Sequence, residues 1–274
     1  MLSTVLMAYS CAFLAAFALG GLAYFDRKEK SRRRAAFLYV MFFSLPGLGF
    51  LAHYALLPEA VIAQAVKEPD EGEIIKAVRD YDPATLSRLR DVIRNDALKG
   101  QPLPATINKL SLIIFQNRAF YFQRGSDIPV HELAKVYLEE IRILRVKDPK
   151  LCFELLFKPD KVDVENLRKA EREYLPKELQ ERVKAQFIKL IQSAQQLEAA
   201  PPTREEAAPA FEYALRNIKM RHGDEGVQIL SNPSLLDRDP NKSIEIFITL
   251  LESVIDRPLY ESGPALRLSF SKQK

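Results

Sequence analysis

Two long uncharged stretches open the chain, and everything after them mixes apolar and charged residues at helical spacing. Met1 to Phe25 and Ala35 to Leu57 contain no Asp, Glu, Lys or Arg. A bilayer core is about 30 Å thick, and about 20 apolar residues of helix cross it. Only a helix satisfies its own backbone N–H and C=O groups in hydrocarbon without neighbours. The pattern therefore predicts membrane spans over 3–25 and 35–57. A pair of buried globular helices is the alternative, but such helices rarely run this long without a charge.

The residues between the spans set the orientation. Arg27, Lys28, Lys30, Arg32, Arg33 and Arg34 face only Asp26 and Glu29 within the loop 26–34. Cationic loops stay on the cytoplasmic side. Glu59 to Glu73, by contrast, holds one lysine against five acids. The expectation is a two-span protein of the inner membrane, with both termini and the large C-terminal part on the periplasmic or extracytoplasmic side. Ala16-Phe17-Ala18 fits a signal-cleavage pattern. The positive charges follow the apolar run instead of preceding it, so a retained span is the expectation.

Within the first span, Ala8, Ala12, Ala16 and Gly20 recur every four positions. Small side chains on one helix face let backbones approach closely in lipid. The stripe predicts packing against the second span, with a homodimer through the first span as the alternative. Pro46 predicts a kink in the second span.

Beyond the spans the apolar residues keep a helical period. Leu179, Val183, Phe187, Leu190, Ala194 and Leu197 mark one face of a long helix. Leu133, Tyr137, Ile141 and Leu144 mark a second; Phe211, Leu215 and Ile218 a third; Ile244, Phe247, Ile248, Leu251 and Val254 a fourth. Leu110 to Phe122 is apolar almost all round, which predicts a helix at the centre of a bundle. Asp82-Pro83, Asp148-Pro149 and Asp239-Pro240 read as helix starts, since Asp accepts from free amides and Pro suits the first turn. Thr203 with Glu206 reads as a capping box. Leu266, Leu268 and Phe270 alternate with polar residues, which predicts an extended tail. The fold class is all-α: a hairpin over 1–58, an irregular helical domain over 59–200 with a solenoid-like layout as the alternative, and helices plus the tail over 201–274 packed on the same domain, with Ala199 to Pro202 as the candidate subdomain boundary or linker.

Charge narrows the partners. The clip's six cations and two anions account for the chain's whole net charge of +4, so the rest is balanced. Binding nucleic acid needs clustered cations to displace counterions, and none form a run here. Cysteine adds little. Cys11 falls in the first span and Cys152 in an apolar stretch, Leu151 to Phe157. That placement predicts a buried, inert thiol.

No motif carries recognisable chemistry. Three His and two Cys, all well separated, form no zinc pattern. No Walker loop, dinucleotide fingerprint or nucleophile elbow appears, and no cofactor is implied. The least ordinary polar run is Arg221 to Gly226. His222 there has Asp224 and Glu225 nearby to orient it as a general base, yet His-Gly is also an ordinary helix end. Glu139-Glu140 reads as part of a solvated helix face. The function expected is a membrane-anchored protein-interaction or scaffold module of the bacterial envelope, with the bilayer and another envelope protein as partners. The alternative is an envelope hydrolase, for example one acting on peptidoglycan with a pair of carboxylates.

Overall fold

The computed structural model describes residues 56–68, 71–196 and 200–270. The first span, the basic loop, the stripe Ala8, Ala12, Ala16 and Gly20, and nearly all of the second span lie outside the described residues. So does the end of the tail. Among the described residues no helix is long and apolar enough to cross a membrane.

All regular structure among the described residues is helical, with no strand. Helix α1 covers 56–65. There follow α2 (Gly72–Tyr81), α3 (Pro83–Leu98), α4 (Leu103–Gln116), α5 (Arg118–Arg124), α6 (Asp127–Lys147) and α7 (Pro149–Phe157). After a 3-10 turn at Pro159–Lys161 come α8 (Val164–Tyr174), α9 (Lys177–Gln196) and α10 (Arg204–Ser231). A second 3-10 turn at Pro233–Arg238 leads to α11 (Pro240–Ile255) and α12 (Leu259–Phe270).

The chain forms two compact units, 1–76 with 83–113 and 77–82 with 114–274. The break at Ala199 to Pro202 does not separate them, because 201–270 belongs to the same unit as 114–196. In the first unit, Val61, Ile62 and Ala65 of α1, Ile75 of α2, Leu86, Leu89 and Ile93 of α3, and Leu110 of α4 are buried. Buried Asp96 accepts from Thr106 Oγ1 at 3.1 Å and Lys109 Nζ at 2.8 Å, tying α3 to α4.

In the second unit α6 is the central helix, flanked by α7, α8, α9, α11 and α12. Its Val136 packs with Leu175, which lies between α8 and α9, and with Leu179 in the first turn of α9. Ile218, Ile229 and Ile246 join α10 to α11. Tyr121 is fully buried, donates to Asp82 Oδ2 at 2.7 Å and meets Phe187 edge-on. Local chemistry sets the helix starts. Asp148 Oδ1 accepts from Leu151 N, Asp239 Oδ1 from Lys242 N, and Thr203 with Glu206 forms the capping box.

Three expectations are corrected. Leu110 to Phe122 is not one central helix: α4 ends at Gln116, Asn117 turns the chain, and α5 begins at Arg118. The buried face of α10 is Ala207, Ala210, Ala214 and Ile218, while Leu215 is 40 % exposed. Small alanines, carrying little weight in an apolar count, let α10 lie close to α11 and α12.

The third correction is the tail, which is helix α12 and not an extended segment. Ser262, Gly263, Ala265, Leu266 and Arg267 are all buried. An extended segment covered on several sides would leave its N–H and C=O groups unpaired, whereas a helix bonds them internally. Its close contact is at Gly263, where a Cβ would fall 2.4 Å from Cβ and Cγ of Asp127. Gly263→Ala is therefore expected to destabilise by about 1–3 kcal/mol through overpacking. Urea denaturation measures it, and an unchanged midpoint would mean that α12 does not dock this closely.

Candidate functional site

The polar run Arg221 to Gly226 sits where two helical stretches of α10 meet. Gly223 has φ 70 and ψ −169, a conformation nearly closed to residues with a side chain. The chain bends there, and α11 holds the bend from one side. His222 Nε2 lies 2.9 Å from Thr249 Oγ1. The Thr249 hydroxyl itself donates to Glu245 O at 3.0 Å, so Nε2 must carry the proton in this bond.

The two acids do not orient the imidazole. Asp224 pairs with Lys219 at 2.8 Å, and Glu225 with Lys242 at 2.6 Å. Both carboxylates are well exposed. Arg221 joins Glu252, which also accepts from Arg142 at 2.6 Å. Asn217 donates to Ser253 Oγ at 3.1 Å. The structure thus brings His222, Asp224 and Glu225 close in the chain but gives each a different partner. The Asp224–Lys219 pair stays within α10, while His222, Glu225, Arg221 and Asn217 fasten α10 to α11, with Arg142 adding α6.

A second place for chemistry is a cleft of about 290 Å³ bordered by α7 and α8. Asp148, Glu154 and Glu173 line it together with Lys150, Lys169 and Tyr174. Asp148 is committed to capping α7. Glu154 and Glu173 are the carboxylates that a hydrolytic reading can draw on.

The third place was not visible as such in the chain. Glu139 is the solvated acid that the sequence predicts: Arg182 grips it at 2.8 and 2.9 Å, holding its carboxyl below the usual range. Glu140 contradicts the same reading, because it is only 5 % exposed. Burial, with Glu171 of α8 as a like charge, pushes its carboxyl up to about 8. Tyr137 on the same helix is raised chiefly by burial, with Glu140 adding to it. Cys152 of α7 is also raised by burial, to about 12, with Glu140 again contributing. Its thiol is buried and donates to Ile141 O at 3.7 Å. A thiol so placed is a poor nucleophile. Spacing carries the missed signal. Leu133, Tyr137, Glu140 and Leu144 step by four, three and four, which puts Glu140 on the buried stripe.

Among the described residues no group of three or more His, Cys, Asp or Glu is placed to hold a metal ion. No protein-family model, curated protein or solved structure matches this chain.

Proposed function

We propose that the protein is an envelope scaffold: a two-span hairpin over residues 1–58 tethers a helical body outside the cytoplasm, and that body binds another envelope protein. One observation carries the choice of an interaction module over an enzyme. The candidate acid and base residues His222, Asp224 and Glu225 each bond a different side chain, and none is poised against another. The balanced charge beyond the clip and the exposed apolar side chains of the second unit support the same reading. Ile128, Met220 and Tyr260 are 63, 76 and 74 % exposed. Tethering raises the local concentration of partners within the membrane plane. The small-residue stripe of the first span supports a homodimer as a second contact.

A photo-crosslinking residue placed at Ile128 or Tyr260 in living cells tests the proposal. The expected result is one dominant protein adduct, absent when the crosslinker sits on the first-unit residue Arg88. Recovery of only lipid and abundant bulk protein would overturn it. Glu154 and Glu173 in the cleft favour the hydrolase as the competing reading. That reading expects glycan cleavage by the purified protein, lost in Glu154→Gln or Glu173→Gln.

A further inference from the structure

Four charged side chains line the cleft bordered by α7 and α8: Lys150 and Glu154 from α7, Lys169 and Glu173 from α8. Among the described residues, none of the four has an ion pair or a side-chain hydrogen bond. Other carboxylates of this unit are paired, Glu139 with Arg182, Glu252 with Arg142 and Glu225 with Lys242. On each helix of the cleft the lysine stands four residues before the glutamate. That spacing permits a pair, in the weaker of the two orders, and neither pair is made. The neighbouring polar groups are committed: Asp148 accepts from Leu151 N, and Asn166 donates to Asp163 Oδ2 at 3.2 Å. Leu151 and Ala170 are buried in the wall, and Tyr174 is half-buried there.

We propose that this cleft binds a short peptide, two residues long, with a free ammonium group at one end and a free carboxylate at the other. Its ammonium would go to Glu154 or Glu173 and its carboxylate to Lys150 or Lys169, both through charge-assisted hydrogen bonds. Its side chains would lie on Leu151, Ala170 and the Tyr174 ring. No internal ion pair has to break first.

Length selects the dipeptide. Four residues of α-helix rise about 6 Å, which is the step from each lysine to its glutamate. Two extended residues span at most about 7 Å. A free amino acid carries both charges on one Cα, too close together to use that step. A cleft of about 290 Å³ is at the small end for a ligand pocket, which disfavours a long chain. Lys150, Lys169 and Glu173 are exposed, so water competes for each new pair. The affinity expected is therefore modest, with a Kd on the order of 1 mM.

Saturation-transfer difference NMR on the full chain in detergent micelles, titrated with alanyl-leucine, tests the site. The expected result is one saturable signal. N-acetyl-alanyl-leucine, which lacks the ammonium, and alanyl-leucinamide, which lacks the carboxylate, should each bind about tenfold more weakly, and so should free leucine. Lys169→Gln combined with Glu173→Gln should abolish the signal while the circular dichroism stays that of the wild type. Arg216→Gln, an exposed change on α10, should leave binding intact. The proposal is overturned if no saturable signal appears, if the blocked dipeptides bind as well as the free one, or if the double variant still binds. Cleavage of the dipeptide would overturn it too, since it would assign Glu154 and Glu173 to hydrolysis.

Discussion

Replacing Arg267 with methionine is expected to cost the second unit about 2–3 kcal/mol. Its guanidinium is buried near the end of the chain yet reaches three places far apart in sequence. Nη2 donates to Gln123 O and to Ala200 O, both at 2.8 Å, and Nη1 lies 3.5 Å from Asp127 Oδ1. It thereby ties α12 to the end of α5, to the turn before α10 and to the start of α6. Methionine fills similar volume but leaves two carbonyls and a carboxylate short of a donor. An unmade bond at a fully buried acceptor costs about 1–3 kcal/mol; Gln123 and Ala200 are exposed and Asp127 half-buried, so water takes up part of each lost bond and the total stays near the upper end of that range. Arg267→Lys is expected to recover only part of the loss, because a single ammonium cannot reproduce the fork. Urea denaturation followed by circular dichroism measures this. A loss below about 1 kcal/mol would place Arg267 among ordinary surface residues.

The second large effect is pH-dependent and follows from Glu140. Its carboxyl sits near 8 in the folded protein against a reference of 4.5 for the free side chain. The folded state therefore keeps a proton that the unfolded chain releases. Its stabilising contribution is complete below pH 4.5 and is lost as pH climbs to about 8. The slope is about 1.4 kcal/mol per pH unit within that window. Glu140→Gln removes the slope. The variant should match the wild type near pH 5 and exceed it by a few kcal/mol at pH 9, on the order of the raised carboxyl's cost. Urea midpoints at pH 5, 7 and 9 for both proteins decide it. Two parallel profiles would show that Glu140 is solvated or already paired with a cation.

The two acids at 139 and 140 illustrate what a chain reveals and what it hides. Adjacent residues on a helix point in different directions, so one of them can meet Arg182 in solvent while its neighbour enters the core. Composition treats them alike, and only the register against Leu133, Tyr137 and Leu144 separates them. The helical class was legible because apolar spacing, Asp-Pro starts and the Thr203–Glu206 box all point the same way. Faces built from alanine, as on α10, were not legible, since small residues add little apolar weight while permitting close approach. The tail misled for a related reason. Leu266, Leu268 and Phe270 alternate, but the burial of Gly263 and Arg267 on other sides makes a helix the only economical backbone. The site around His222 was legible as a helix end; its use as a strap to α11 depends on Thr249, 27 residues beyond His222, and on Glu252, 31 residues beyond Arg221.

The scaffold reading stands or falls on the side of the membrane that the helical body occupies. Single cysteines placed at positions 27–34, and others at exposed sites such as Val146 and Met220, can be challenged in intact cells with a membrane-impermeant thiol reagent after Cys11 and Cys152 are replaced. Charged loops resist transfer across lipid, so positions 27–34 should stay unlabelled until the cells are lysed, while positions 146 and 220 label at once. Labelling of the loop in intact cells with protection of positions 146 and 220 would invert the topology and contradict the account.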